Sequence, residues 1–256
     1  MRWVTRRWAV AALAAAAGGA ARAATGPGWP SEAPLGPPQP FSFERLRQQA
    51  RALAARPHQP PPTPPDAQAL DYDAFGRVTY RSAGTLWGSA AGDRGVRLFP
   101  LSRPAPHPVQ VHVVANGQAR PVLYSPELFD APPDSPLRSL GEAAGFGGFR
   151  VMNADHATDW LAFLGASYFR SADPFNQYGL SARGVAIDTA GPGPEEFPNF
   201  TAFWLEPGPA DGVVVYALLD GPSVTGAYRF ANSRSPRPAG RRPRRRPRAP
   251  ARARRR

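Results

Sequence analysis

The 256-residue chain contains no cysteine and only four histidines. The absence of Cys excludes disulfides, thiol catalysis, zinc fingers and iron–sulfur clusters. His58, His107, His112 and His156 are scattered, with no i, i+2 or i, i+4 pair, so no metal site and no cofactor are expected and each His reads as a surface or incidental residue. There is also no lysine: all 31 basic residues are Arg. Twelve of these lie between Arg234 and Arg256, a stretch without a single acid, leaving 19 Arg against 19 Asp and Glu in the rest. The formal charge of +12 thus belongs to the tail, and the remainder is neutral, which removes the usual charge argument for a nucleic-acid-binding domain. The longest apolar run, within Ala9–Ala17, is too short for a membrane-spanning helix of about 20 residues.

What is present suits a packed protein: 42% hydrophobic and 11% aromatic residues are enough to build a core. Residues 1–24 read as an export signal, with Arg2, Arg6 and Arg7 at the positive start, Ala9–Ala17 as the apolar segment and Ala21-Arg22-Ala23 as the cleavage site. The Arg6-Arg7 pair points to the twin-arginine route, with ordinary secretion as the alternative. Residues 25–66 are expected to hold a loose Pro/Gly leader (Gly26–Pro40), a helix over Phe41–Arg56 and an extended Pro-rich link over Pro60–Pro65. Ser42 caps the predicted helix, Phe43, Leu46, Ala50, Leu53 and Ala54 share its apolar face, and Pro57 ends it.

Residues 67–231 are expected to form part of a β-sandwich. Val109, Val111 and Val113 alternate with Gln110 and His112, Asn116-Gly117 marks a hairpin, and Pro121–Ser125 reads as the return strand. Further strands are predicted at Phe163–Arg170, Tyr178–Asp188, Thr201–Glu206, Val213–Leu219 and Gly226–Phe230; the fourth of these, apolar at every position, is expected between two layers. The fold class is therefore mainly β, a large antiparallel sandwich with one N-terminal helix. Residues 232–256, rich in Arg and Pro, cannot bury a core and read as a disordered tail. That tail is either a basic arm or the product of an out-of-frame segment.

The chemical motifs are sparse. Gly179–Gly184 has one residue too many for a serine nucleophile elbow. Gly145–Gly148 is followed by no Lys and is not a phosphate loop. Glu195 and Glu196 are adjacent and, in an extended chain, point to opposite faces, while Asp188 and Asp220 end predicted strands as candidate cleft residues. The aromatic and guanidinium groups are more informative: Tyr168-Phe169-Arg170, Tyr178, Arg183, Phe203-Trp204, Tyr216 and Tyr228. Sugar rings stack their C–H faces on aromatic planes and accept from guanidinium N–H groups, so these residues suit a neutral glycan groove. The same spacing also fits an aromatic core.

Taken in order, AGFGGFRV (144–151), FLGASYFR (163–170), QYGLSARGVAID (177–188), EEFPNFTAFW (195–204) and VYALLDGPSVTGAYRF (215–230) resemble the osmoregulated periplasmic glucan biosynthesis proteins of the G and D type. The twin-arginine start favours the D-like branch, and the resemblance covers residues 41–230. It implies a periplasmic protein about twice this length, with a carbohydrate-enzyme-like β-sandwich, that makes or tailors β-1,2-linked glucan backbones. D-branch relatives resemble glucan hydrolases that use acidic residues, and those carboxylates are expected downstream of the matched motifs, so no catalytic residue is assigned. Tyr168, Arg170, Tyr178, Ser181, Arg183 and Asp188 carry over as glucan-binding candidates. The implied partners are a β-glucan oligo- or polysaccharide and the inner-membrane glucan synthase, with a non-enzymatic glucan-binding module or scaffold as the alternative function. Gly147 and Gly221 depart mildly from the family pattern. The larger departure comes after Phe230, where the Arg/Pro tail replaces further strands. A sandwich cut there is expected to be inactive and, with unpaired edges, unstable or prone to aggregate.

Overall fold

The computed structural model describes residues 7–13 (backbone only), 32–87, 95–140, 144–173, 175–209 and 212–233. The elements in chain order are β1 (Arg7–Leu13), β2 (Gln39–Pro40), α1 (Phe43–Ala54), α2 (Tyr72–Gly76), β3 (Thr79–Tyr80), β4 (Val96–Pro100), β5 (Gln110–Ala115), β6 (Gln118–Pro121), β7 (Phe129–Asp130), β8 (Phe146–Met152), β9 (Asp159–Leu164), β10 (Tyr168–Ala172), β11 (Tyr178–Arg183), β12 (Asn199–Pro207), β13 (Val213–Asp220) and β14 (Val224–Asn232). They form a seven-stranded sheet in the order β1-β14-β13-β12-β5-β6-β2, a five-stranded sheet in the order β11-β10-β9-β8-β4, and the small pair β3-β7.

The two large sheets face each other and α1 covers the far side of the seven-stranded one. β13 shows how one sequence serves both interfaces. Val213, Val215, Ala217 and Leu219 enter the core between the sheets, whereas Val214, Tyr216 and Leu218 pack under α1. A strand covered on both faces cannot alternate apolar with polar, which is why this segment is apolar throughout. From α1, Leu46 and Ala50 are buried against it, with Phe43 and Leu53 alongside. Ser42 caps the helix by accepting from Arg45 N–H at 3.2 Å. The core between the sheets is aromatic: Phe149, Phe163, Phe203 and Phe200 meet with ring centroids 5.1–6.2 Å apart.

The mainly β architecture matches the sequence expectation, with several differences of detail. The sandwich is not wholly antiparallel: β5 and β12 run parallel, Ala202 beside Gln110. They are not hairpin neighbours, because the strands of the other sheet lie between them in sequence, so no turn dictates their relative direction. The predicted strand Phe163–Arg170 is two strands. Gly165 and Ser167 at φ +56° and +51° reverse the chain between β9 and β10. The Asn116-Gly117 turn, at φ +52° and +72°, forms as predicted. Its return strand starts immediately at Gln118 and ends at Pro121, with Val122 N–H still donating to Val111 O at 2.8 Å. β11 ends at Arg183, short of Asp188. β4 and β8 have no counterpart among the predicted strands. A second short helix, α2, is capped by Asp71, which accepts from Ala74 N–H at 3.0 Å.

The boundaries also shift. The expected loose leader is tied to the sheet from residue 32 onward. β2 pairs with β6, Leu35 bridges Val122, Gly36 N–H donates to Pro121 O at 2.8 Å, and Arg120 donates to the carbonyls of Gly36 and Leu35. The edge of β6 offers unpaired backbone groups, and a Pro-rich segment can satisfy them through its carbonyls. At the other edge, the backbone of Arg7–Leu13 runs parallel to β14. Asn232 closes β14 and donates to Val213 O at 3.4 Å, so it belongs to the strand and not the tail. Residues 234–256, Arg6 and the cleavage site lie outside the described residues. Among the described residues no helix is long and apolar enough to cross a membrane.

Candidate functional site

Of the four faces of the two large sheets, α1 covers one and the sheets cover two in each other. The fourth, the outer face of the five-stranded sheet, carries the polar chemistry. Strand alternation decides which residues reach it. Val96 and Leu98, Phe149 and Val151, Phe163 and Phe169 point into the core, so their neighbours Arg97, Phe99, Arg150, Tyr168 and Arg170 point out. The register lines these up across the strands. One row reads Arg97, Arg150, Ala162, Arg170, Ser181, and the next reads Phe99, Gly148, Leu164, Tyr168, Arg183.

The β10–β11 hairpin brings five of the six predicted binding residues together. The Arg170 guanidinium carbon lies 4.3 Å from the centre of the Tyr178 ring, and its Nη2 is 3.6 Å from Asp159 Oδ2. The Tyr178 hydroxyl donates to the Asp159 carbonyl. Burial, then the hydrogen bond and charge of Asp159, push the Tyr178 phenol above its ordinary value, so it stays a protonated donor. Tyr168 Oη and Ser181 Oγ share a hydrogen bond of 2.9 Å. Arg183 donates to Ala166 O at 2.7 Å and stacks between two rings, 5.9 Å from Tyr168 and 4.7 Å from Phe197. The flat, fixed groups on this surface present apolar faces beside N–H donors.

Asp188, the sixth candidate, does not join them. It sits at φ +57° on the loop after β11, exposed, its carbonyl accepting from Gly191 N–H at 3.2 Å. The other carboxylates raised by the sequence are occupied. Glu195 accepts from Ala190 N–H at 3.2 Å, Glu196 from Ser223 N–H at 3.0 Å, and Asp220 lies 3.2 Å from His58 Nδ1. The aromatic residues divide sharply. Phe169, Phe203 and Tyr228 are in the core between the sheets, and Trp204 and Tyr216 lie under α1. Trp204 is stacked between Phe41 at 5.4 Å and His112 at 4.8 Å. His112 is thus a packed residue and His58 is half-buried, so neither is the incidental surface group expected. Among the described residues no cluster of three or more His, Asp or Glu could hold a metal.

Phe197, Asp159, Arg97 and Arg150 were missed. The last two had a visible signal: a single Arg flanked by apolar residues in Val96-Arg97-Leu98 and Phe149-Arg150-Val151, as in Phe169-Arg170. Phe197 had none, because only the Ile187–Glu196 bridge folds its loop back toward Arg183. The two mild departures from the family pattern have a packing counterpart. A Cβ on Gly147 would lie 2.7 Å from Pro100 O, and one on Gly221 2.7 Å from Pro198 Cβ.

Comparison with known proteins agrees with the motifs. Residues 41–238 match the family model described as periplasmic glucan biosynthesis protein, MdoG. The chain is 45% identical over 219 residues to glucans biosynthesis protein D 2 of Ralstonia nicotianae, covering 80% of this chain and 41% of that protein. It is 44% identical over 205 residues to glucans biosynthesis protein D of Xanthomonas campestris pv. campestris, covering 77% of this chain and 38% of that one. Glucans biosynthesis protein D 1 of Ralstonia nicotianae is 46% identical over 198 residues, with 75% and 37% covered. The chain therefore spans about two fifths of the length of the curated relatives it matches. With the five ordered motifs, the sandwich that carries them and D-type relatives at this identity, the chain belongs to the periplasmic glucan biosynthesis family.

Proposed function

We propose that this chain acts in the periplasm in making or tailoring osmoregulated β-1,2-linked glucan backbones, and that it holds the glucan on the outer face of its five-stranded sheet. The observation that carries the reading is the pair of guanidinium–ring stacks, Arg170 on Tyr178 and Arg183 beside Tyr168 and Phe197, on a sheet face that no second sheet covers among the described residues. A glucose ring lying on Tyr178 or Phe197 would set its C–H face on the aromatic plane. The rim hydroxyls would then accept from Arg170 and Arg183 and exchange hydrogen bonds with Ser181 and Tyr168. Residues 1–24 would serve as the export signal, read through Arg6-Arg7.

Binding, not cleavage, is the role assigned to this 256-residue chain. Glu195, Glu196 and Asp220 hold loop amides or His58, and Asp188 stands apart from the stacks. General acid/base hydrolysis needs two carboxylates across the scissile bond. In this reading they belong to segments beyond the matched motifs. A surface that binds without cutting would also serve a scaffold that passes glucan to an inner-membrane synthase.

Calorimetric titration with linear β-1,2-glucan oligosaccharides, followed by chromatography of the products, tests this. Saturable binding with unshortened oligosaccharides, weakened at least tenfold in a Tyr178→Ala, Arg183→Ala variant, is the expected result. Shortened products abolished by a change before Phe230 would overturn the assignment, as would binding untouched by that double variant.

A further inference from the structure

We propose that Arg97 and Arg150 form an oxyanion-binding site at the β4–β8 end of the outer sheet face, taking a phosphate ester or carboxylate group. The two residues are direct partners in the antiparallel register of β4 and β8, and both point away from the core. Like charges directly opposite on a sheet repel and destabilise it unless something neutralises them. Nothing described does so: among the described residues neither Arg has a carboxylate within ion-pair distance. Arg47, Arg77, Arg81, Arg170 and His58, by contrast, each lie within that distance of one.

Arg150 shows the deficit most clearly. Its Nε is buried and makes no hydrogen bond, a costly state for a charged donor. The side chain rests on Phe99, with 5.4 Å from guanidinium carbon to ring centre, which fixes it in place. It also borders a cavity of about 210 Å³ whose lining includes Phe75, Val78, Phe99 and Phe129. Arg97 has only a neutral partner, donating through Nε to Thr85 Oγ1 at 3.1 Å. Burial and the neighbouring Arg150 charge both pull its proton affinity down. Two guanidiniums set opposite each other on neighbouring strands, with Arg150 bordering the cavity, match the charge of an oxyanion and offer it planar N–H donors. The inference needs no glucan: it is argued from the pair's own electrostatics.

The test is thermal unfolding of the full chain at constant ionic strength, with methyl phosphate, acetate or NaCl alone. An anion that binds at this pair should raise Tm by about 3–5 °C at ten times its dissociation constant, beyond the NaCl control. That rise should disappear in both Arg150→Met and Arg97→Met. In anion-poor buffer each variant should melt no lower than the parent, since each removes the repulsion, and this separates loss of binding from loss of fold. A shift with methyl phosphate, with acetate or with both supports the site and tells which group it prefers. No shift with either anion, or a shift that survives in both variants, overturns it.

Discussion

Arg170 lies with its guanidinium carbon 4.3 Å above the Tyr178 ring, while the Tyr178 hydroxyl donates to the carbonyl of Asp159, the residue whose carboxylate faces Arg170. The stack is therefore held from two sides. If the ring is the glucan platform, Tyr178→Ala should weaken oligosaccharide binding by tenfold or more, whereas Tyr178→Phe should keep binding and lose only the hydrogen bond. Tyr178→Phe is expected to cost about 1 kcal/mol of stability, read by urea unfolding alongside calorimetry.

Position 148 tests the five-stranded sheet itself. A Cβ there would stand 2.1 Å from Phe163 O, a backbone atom of the neighbouring strand, so β8 and β9 would have to separate. Gly148→Ala should destabilise the chain by about 2–4 kcal/mol, in the range of overpacking that cannot relax. Gly179 has nothing within 4 Å of its built Cβ. Gly179→Ala should leave the melting curve almost unmoved. Equal effects from the two substitutions would show that the β8–β9 approach is not as close as described.

The α1 layer is held by the Ser42 cap and by an apolar face in which Leu46 and Ala50 are buried. Ser42→Ala removes the acceptor for Arg45 N–H and should cost about 1 kcal/mol. Leu46→Ala, at a position 1% exposed, should cost about 2–4 kcal/mol. Both losses can be read by chemical denaturation, and Leu46→Ala should not alter oligosaccharide binding, because α1 lies across the sandwich from the proposed surface.

His112 gives the fold a pH dependence. Burial lowers its pKa below the ordinary 6.5, against the opposing hydrogen bond to Phe203 O. The unfolded chain then takes up the proton more readily than the folded one. The contribution is complete above about pH 6.5 and is lost as pH falls from there through the lower folded-state value. Between pH 7.5 and 5, the parent should lose more Tm than His112→Gln. Parallel Tm profiles for the two proteins would show that His112 does not titrate differently on folding.

Several features were legible before any coordinates. The capped amphipathic helix, the Asn116-Gly117 hairpin and the all-apolar β13 each follow from a local rule acting on consecutive residues. So does the confinement of the net positive charge to the last 23 residues. The motif order between residues 144 and 230 identified the family. The hairpin carrying Tyr168, Arg170, Tyr178, Ser181 and Arg183 was found through those motifs, although the turn at Gly165–Ser167 was hidden inside what reads as one strand.

What the chain order could not reveal is which face of each strand is covered. Alternation sets the parity of a strand, so Phe169 and Arg170 had to point to opposite sides. Only the stacking of α1, the seven-stranded sheet and the five-stranded sheet decided that Phe203 and Tyr228 fill the core, that Trp204 is sandwiched by Phe41 and His112, and that Tyr178 and Phe197 stay in solvent. The same layering set Arg97 opposite Arg150 and drew residues 32–40 onto the β6 edge. Those contacts join residues far apart in sequence, and burial is a property of the assembled layers, which no single segment encodes.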